Sequence, residues 1–428
     1  MNRSTQVRML SSAGKRCLPD AQALRELMRF KPLDLHIVRA RVNSAQTIAD
    51  LRTLARRRTP TPAFDYVDGG SFGEHSKYRN RETFDQVEFV PSVLRDVSTV
   101  DPSGRIAGTR FRIPVGIAPT GLTRLAHSSG EKAGASAADA AGVPFSLSTM
   151  GTASIEDIAT NDPDATRWFQ LYLWKDREKS LALVSRALEA GYTGLIVTVD
   201  TPVGGARYRD ARNGMTLPPT ISFRTLVDAS YRPAWWLNFL TTESLGFANF
   251  ASDHGSVMEQ ANEMFDASLE VPDLAWLRSN WPGKLIVKGI QTANDALRAF
   301  DTGADAIVIS NHGGRQLDRA PVPMQVLPSI RAATGPAAEI ILDSGIMTGG
   351  DVVAALANGA NFTLIGRAYL YGLMAGGELG ARRALTILES EIRVVMKLLG
   401  VTRLADLTPD HVRQYRPGLS PHIVPAAR

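Results

Sequence analysis

The segment from Ser310 to Arg315, Ser-Asn-His-Gly-Gly-Arg, joins a group that can accept a proton to a group that can bind an anion. The imidazole of His312 titrates near neutral pH, so it is suited to act as a general base. The guanidinium of Arg315 can hold a carboxylate through paired hydrogen bonds that a lysine cannot reproduce. The segment therefore indicates acid–base chemistry on a small anionic molecule.

Polar side chains also follow the other short apolar runs of the sequence. They are Gln170 and Tyr172, then Thr198, Asp200 and Arg207, then Lys288, Ser310, Asp343, Gly366 and Arg367. Arg207 can share a carboxylate with Arg315, and Asp200 can orient the ring of His312 and stabilise its protonated form. A single lysine or histidine of this kind is more often structural, but polar groups closing six successive runs indicate a ligand or a dense internal network.

Two glycine-rich segments follow the last two apolar runs. They are Asp343 to Gly350 and Ile365 to Arg367. Backbone N–H groups of such loops bind phosphate at this position in α/β barrels. The residues alone thus favour a phosphorylated cofactor.

Eight short β-branched runs, separated by alanine-rich amphipathic stretches, must position these side chains. The runs are Ile113 to Ala118, Val143 to Leu147, Trp168 to Leu171, Leu195 to Val199, Leu285 to Val287, Ala306 to Ile309, Glu339 to Leu342 and Phe362 to Ile365. Gly191, Gly303 and Gly359 each precede an inner run and predict left-handed helix ends. The pattern predicts an α/β fold with a closed (β/α)8 barrel, in which chemistry lies at the carboxyl ends of the strands, although spacing alone leaves an open doubly wound sheet as an alternative.

Two regions interrupt the repeat. The first precedes residue 110 and contains a helical pattern around Ala45 to Arg57; the second, about 214–282, follows the fourth strand and is long enough to be a lid or a docking element. We therefore predict a leader at 1–44, a catalytic domain at 45–407 with its barrel core at about 113–400, and a tail at 408–428.

Composition excludes several classes of protein. The formal charge of +5 over 428 residues is modest, and the basic residues are scattered except at Arg56 to Arg58, which we interpret as a solvated helix end in preference to a phosphate or lipid contact. Nucleic acid is not implied, and no His/Cys set has metal-binding spacing. The single cysteine, Cys17, excludes an intramolecular disulfide and suits a cytoplasmic location. Residues 1–19 resemble a transit peptide in composition, with an unstructured leader the safer interpretation, and no run is long enough to span a bilayer.

Several longer motifs resemble one family, the FMN-dependent α-hydroxy acid oxidases and dehydrogenases. The matching stretches, within about Ala45 to Leu407, begin at Ile117 (Ile-Ala-Pro-Thr-Gly), Phe169 (Phe-Gln-Leu-Tyr), Thr198 (Thr-Val-Asp-Thr-Pro), Val287 (Val-Lys-Gly) and Ser310. The stretch from Gly205 to Asp210 looks most like the respiratory, quinone-linked L-lactate dehydrogenases.

The resemblance implies a role for each matching residue. FMN would be bound by Pro119, Thr120, Gly121, Ser148, Gln170, Thr198, Lys288, Ser310, Asp343, Gly345, Gly366 and Arg367, and substrate by Tyr66, Tyr172, Arg207 and Arg315. His312, Asp200, Lys288 and Tyr172 would be catalytic, with His312 as the base and Lys288 stabilising negative charge on the flavin. No metal is implied.

Three positions depart from better-known relatives. Met347 stands where many relatives have a phosphate-binding arginine, so FMN binding is expected to rely on Arg367 and backbone N–H groups. Gly121 replaces an alanine and Met150 a tryptophan of glycolate oxidase, which changes the pocket lining and makes glycolate a poorer fit.

These features favour oxidation of L-lactate to pyruvate, with electrons passed to a quinone or a cytochrome. The alternatives are an oxidase that uses oxygen, including one for mandelate-type substrates, an FMN-dependent isomerase, and a flavin or lactate sensor without turnover. The segment Tyr231 to Leu240 is interpreted equally well as a contact with the inner face of the cell membrane or as a cover over the barrel mouth. The resemblance also implies a homotetramer.

Overall fold

The computed structural model describes residues 36–160, 162, 165–214, 227–228, 230–243, 245–250 and 264–414. Eight parallel strands within these ranges form a closed barrel. They are β1 (Val115–Thr120), β2 (Phe145–Ser148), β3 (Arg167–Leu171), β4 (Gly194–Thr198), β5 (Lys284–Ile290), β6 (Ala306–Ile309), β7 (Glu339–Leu342) and β8 (Phe362–Ile365). The predicted barrel and the positions of its strands are confirmed.

The barrel closes by pairing its last strand with its first. Thr363 lies opposite Val115 and Ile365 opposite Ile117, both in parallel register. Every residue of β2, β3, β4, β6 and β8 is buried, because side chains on one face fill the barrel and those on the other pack against helices. This explains why the strands appear in the sequence as nearly continuous apolar runs.

Helices surround the barrel and connect its strands. In chain order after β1 they are Thr123–Ala126, Gly130–Ala141, Ile155–Ala159, Arg177–Glu189, Tyr208–Arg212, Pro233–Thr241, Val271–Asn280, Ala293–Asp301, Pro323–Thr334, Gly349–Ala357 and Arg367–Leu399. Gly191, Gly303 and Gly359 have φ of 80°, 90° and 107°, so the three predicted left-handed helix ends are confirmed.

The amino end of the barrel is closed by apolar packing. A hairpin of Gly104–Ile106 and Thr109–Phe111 covers this end. The ring of Phe111 lies 5.5 Å from that of Phe362 and 6.5 Å from that of Trp168. The opposite, carboxyl end is therefore the one available for chemistry.

The residues before the barrel form four helices, Ile37–Ser44, Ile48–Arg58, Thr61–Asp68 and His75–Asp85, within the described residues. The predicted boundaries at both ends need correction. Val42 is buried, so the end of the predicted leader belongs to the fold. The strand Val412–Gln414 pairs with Val87–Phe89, so the fold also extends into the predicted tail. Residues 1–19, with Cys17, lie outside the described residues.

The predicted insert of about 214–282 is only partly described. Its last part contains the helix Val271–Asn280, which buries Leu274 and Leu277 in the core as an ordinary outer helix. The helix Pro233–Thr241 buries none of its residues. No helix in the described part of the chain is long and apolar enough to cross a bilayer.

Candidate active site

A cavity of about 450 Å³ opens at the carboxyl ends of the barrel strands. The predicted site residues that line it are Tyr66, Pro119, Thr120, Gly121, Ser148, Tyr172, Arg207, Lys288, His312, Arg315, Asp343, Gly345, Gly366 and Arg367. The other four, Gln170, Thr198, Asp200 and Ser310, lie directly behind this lining, each hydrogen-bonded to a lining residue or in register with one. Residues separated by up to three hundred positions in sequence thus surround one volume.

His312 is oriented by Asp200. Its Nδ1 lies 3.1 Å and 3.3 Å from the two carboxylate oxygens of Asp200. Because Nδ1 donates to the carboxylate, Nε2 keeps the lone pair that a base needs. Burial lowers the pKa of His312, and the attraction of Asp200 opposes this shift without cancelling it. Burial raises the pKa of Asp200, but His312 and then Lys288 bring the net pKa below its ordinary value. At neutral pH the pair is therefore a neutral imidazole beside a carboxylate.

The backbone that carries His312 is held in an unfavourable conformation. His312, Gly313 and Gly314 have φ of 57°, 63° and 73°, so three successive residues are left-handed. Behind them, Asn311 exchanges two 2.8 Å hydrogen bonds with Asn80, and its Oδ1 also accepts from Gly314 N at 3.1 Å. Both asparagines are buried. The amide pair thus fixes the loop that presents the base.

Lys288 places a buried positive charge beside the same loop. Its Nζ donates to Ser310 Oγ at 3.0 Å and lies 3.3 Å from Asp343 Oδ2. Burial lowers the pKa of Lys288, but Asp343 and Asp200 raise it above its ordinary value overall. Lys288 is therefore a cation, and Ser310 and Asp343 fix its position.

Arg207 and Arg315 lie close to the ring of Tyr66. Their Cζ atoms are 5.9 Å and 4.9 Å from its centroid. Burial and the neighbouring charge of Arg207 lower the pKa of Arg315 to about 9. The Nε of Arg207 is buried without a hydrogen-bond partner among the described residues. Arg315 Nη1 donates to the carbonyl oxygens of Tyr66 and Gly69, which fixes its position. Two crowded guanidiniums are suited to bind a carboxylate, because an anion offsets their repulsion and supplies the acceptor that Arg207 Nε lacks.

The last two strand ends form an anion-binding geometry. Gly345 has φ of 103°, and a Cβ there would lie 2.8 Å from the carbonyl oxygen of Asn80, so only glycine fits. Gly366 precedes the helix Arg367–Leu399, and no described side chain caps its first N–H groups. A helix N-terminus with free N–H groups attracts phosphate.

Comparison with known proteins decides the family. The sequence profile described as FMN-dependent dehydrogenase matches residues 55–414. The chain belongs to this family. The enzyme is 53% identical over 94% of its length to a Mycobacterium tuberculosis protein provisionally assigned as an L-lactate dehydrogenase, of which it covers 98%. It is 42% identical over 84% of its length to an L-lactate dehydrogenase of Caulobacter vibrioides, of which it covers 95%. Among solved structures, it matches a monotopic membrane protein, (S)-mandelate dehydrogenase, with a TM-score of 0.83, 40% identity and coverage of 87% and 100%.

The residues present fit FMN, the cofactor of this family of α-hydroxy acid dehydrogenases. Gln170 Nε2 is buried without a partner in the described ranges, while Gln170 Oε1 accepts from Ser148 Oγ at 3.0 Å. A polar ring edge near Ser148 would satisfy the free amide donor. Lys288 would lie near the part of the flavin ring where negative charge develops on reduction. The N–H groups after Gly366 would bind the phosphate. The individual roles remain predictions.

Arg367 has a different environment from the one that the sequence suggested. It lines the cavity, but its three nitrogens donate to the carbonyl oxygens of Val67, Gly69 and Gly313 at 3.0, 2.6 and 2.8 Å. Arg367 therefore ties the residues before the barrel to the His312 loop, which leaves fewer of its N–H groups for phosphate.

Sequence reasoning missed the helix His75–Asp85. Arg81 forms two hydrogen bonds to Asp351, whose Oδ2 also accepts from Met347 N, and Arg81 donates to Gly345 O at 3.0 Å. Arg81 thus supports the loop in which Met347 replaces the usual arginine. The sequence gives no local signal for this role, because the helix has no apolar stripe and nearly all of its residues are polar.

Proposed function

We propose that this enzyme oxidises L-lactate to pyruvate and passes the electrons to a quinone or a cytochrome. The observation that carries the proposal is the single cavity shared by a neutral His312, two guanidiniums and a buried cation. An α-hydroxy acid offers a carboxylate to the arginines and a hydroxyl to the base. The L-lactate dehydrogenases among the relatives support the same substrate.

Arg207 and Arg315 would bind the carboxylate, with Tyr66 and Tyr172 beside it. This contact would bring the hydroxyl-bearing carbon next to Nε2 of His312. His312 would accept a proton from the substrate, and Asp200 would stabilise the resulting imidazolium.

When held by residues such as Gln170 and Lys288, FMN would supply the two-electron acceptor that this oxidation requires. Lys288 would keep its positive charge near the flavin and stabilise the negative charge that develops there. Two electrons and two protons leave L-lactate for each pyruvate formed.

Anaerobic addition of L-lactate to the purified holoenzyme tests the proposal. The flavin absorbance is expected to bleach, and a protein that stays yellow would refute lactate oxidation. His312→Ala is expected to retain FMN and lose bleaching. His75→Ala provides a control, because His75 is exposed at the start of the helix His75–Asp85. The flavin of this variant should bleach like that of the wild type.

Mandelate-type substrates are a second candidate. The cavity wall includes an aromatic and apolar cluster with Leu122, Tyr172 and Phe265, and a mandelate oxidase is a structural neighbour at 35% identity and a TM-score of 0.75. Comparing kcat/KM for L-lactate and (S)-mandelate, with oxygen consumption followed in parallel, separates these substrates and also separates a dehydrogenase from an oxidase.

Contact with the inner face of the cell membrane and a homotetrameric assembly complete the proposal. The exposed apolar helix Pro233–Thr241 supports the membrane contact, and a structural neighbour is named as a monotopic membrane protein. Sedimentation of the purified enzyme with lipid vesicles tests the membrane contact. Light scattering of the enzyme in detergent tests the homotetramer.

A further inference from the structure

A second cavity, of about 160 Å³, lies beside the helix Pro233–Thr241. It shares no described residue with the lining of the active-site cavity. Its lining combines basic and aromatic side chains, chiefly Arg57, Arg58, Arg124, His127, Trp235 and Phe239. The proposed catalytic steps use none of these residues.

The helix Pro233–Thr241 is fixed to the protein but leaves an apolar face uncovered. Trp235 stacks on Phe239 with their ring centroids 4.8 Å apart, and Trp235 Nε1 donates to Leu125 O at 3.2 Å. Leu237 and Leu240 are 64% and 71% exposed, and the helix carries no charged residue. An apolar face of this kind is unfavourable in water and indicates an apolar partner.

Hydrogen bonds join this helix to Arg56–Arg58, the arginine triplet in the last turn of the helix Ile48–Arg58. Asp228 accepts from Thr61 N at 2.7 Å and from Arg232 Nη1. Arg232 Nη2 in turn donates to Arg56 O at 3.4 Å. These bonds fix the start of the helix Pro233–Thr241 next to the arginine triplet.

Positive charges on this surface exceed the negative ones. Arg57 and Arg58 form no ion pair with any described residue, whereas Arg124 lies 3.7 Å from the exposed carboxylate of Glu243. Burial, and then Arg41, lower the pKa of Arg58. Burial, and then Arg58, lower the pKa of His127. The arginines of this cavity are thus crowded cations, and a bound anion would offset their charge.

We propose that this cavity binds the phosphate of an anionic phospholipid while Leu237 and Leu240 enter the acyl region of the same leaflet. The proposal rests on the membrane contact given under the proposed function and adds its lipid selectivity. A soluble phosphate would satisfy the arginines but would leave both leucines in water. A bilayer with anionic headgroups satisfies both parts of the surface.

Vesicle sedimentation of the full-length holoenzyme tests the proposal. One set of vesicles is phosphatidylcholine alone, and the other is equal parts phosphatidylcholine and phosphatidylglycerol. An arginine near an anionic surface strengthens binding roughly fivefold, so two arginines give roughly 25-fold preference for the anionic vesicles. The double variant Arg57→Gln/Arg58→Gln is expected to lose this preference and keep the weaker binding to neutral vesicles.

A matched control removes the same charge elsewhere. Arg105→Gln/Arg110→Gln changes two arginines of the hairpin at the amino end of the barrel, and it should keep the preference. All variants should oxidise L-lactate with a soluble dye acceptor at the wild-type rate, which verifies folding.

The outcomes separate the two proposals. Equal binding of the wild type to both kinds of vesicle overturns the lipid site and leaves the membrane contact standing. Binding to neither overturns both. Equal loss of preference in the control and in the Arg57/Arg58 variant also overturns the lipid site, because net charge alone would then explain it.

Discussion

Replacement of Asn80 by alanine tests whether residues outside the barrel control the catalytic base. Asn80 contributes two 2.8 Å hydrogen bonds to Asn311, in a buried environment. After Asn80→Ala, the Asn311 amide retains only its bonds to Pro321 O at 3.2 Å and from Gly314 N at 3.1 Å. Loss of two buried hydrogen bonds, with part of their polar atoms left unsatisfied, costs roughly 2–4 kcal/mol.

Part of this lost free energy destabilises the conformation of the His312 loop relative to other loop conformations. The left-handed conformation of a residue such as His312 is itself unfavourable by about 1–3 kcal/mol and persists only while its surroundings enforce it. If half of the lost hydrogen-bond energy destabilises the reactive loop conformation, the rate of flavin reduction falls roughly 5- to 30-fold. FMN binding should change little, because the predicted cofactor contacts do not include Asn80.

Anaerobic stopped-flow bleaching with saturating L-lactate measures the effect, and the flavin spectrum gives the FMN content. Asn358→Ala is the control, since in the described part of the chain its side-chain amide donates only to Ala354 O, near the amino end of the barrel. Wild-type bleaching by Asn80→Ala would refute the positioning role. A matching loss in Asn358→Ala would attribute the effect to general destabilisation.

Three further changes test other parts of the site. Because burial lowers the pKa of His312, the midpoint of the acid limb of kcat/KM is expected to lie below the ordinary histidine pKa, and Asp200→Asn should move it to still lower pH while reducing kcat. An unmoved limb in the pH profile of Asp200→Asn would contradict the pairing. Gly121→Ala puts a Cβ 2.7 Å from Met150 Cβ, an overpacking of about 1–3 kcal/mol that thermal unfolding should detect. Met150→Gly, which removes that Cβ, should relieve part of it, and additive effects of the two changes would refute the contact. Arg315→Lys should lower kcat/KM for L-lactate roughly 100-fold in a steady-state assay, because lysine cannot form the paired hydrogen bonds to the carboxylate. Arg319→Lys, on the same loop, should leave kcat/KM unchanged, and equal effects of the two changes would contradict a specific carboxylate contact.

The barrel was predictable because local chemistry specifies it. The strands are buried on both faces, which produces apolar runs, and glycines such as Gly191 and Gly359 mark the helix ends before them. The strand-end rule then places Lys288 and His312 at one mouth without any knowledge of side-chain contacts.

The support of the loops was not predictable in the same way. Asn80 contacts a residue 231 positions away, and Arg81 contacts one 270 positions away. Neither contact has a local pattern, because the helix that carries them packs through hydrogen bonds and lacks an apolar stripe. The same holds for Arg367, whose sequence position suggests phosphate but whose nitrogens bind backbone carbonyls.

Burial, and then the positive charge of the cavity, disfavour the protonated form of His312, and Asp200 offsets this effect only in part. Lys288 and Arg207 suit an anionic substrate, but both lower the pKa of His312 and so disfavour the imidazolium that proton transfer must produce. Asp200 opposes this effect through its contact with Nδ1. A bound substrate carboxylate would add a second negative charge near Arg207, so the basicity of His312 should rise when substrate binds. The cations that bind the substrate would then weaken the base only while the substrate is absent.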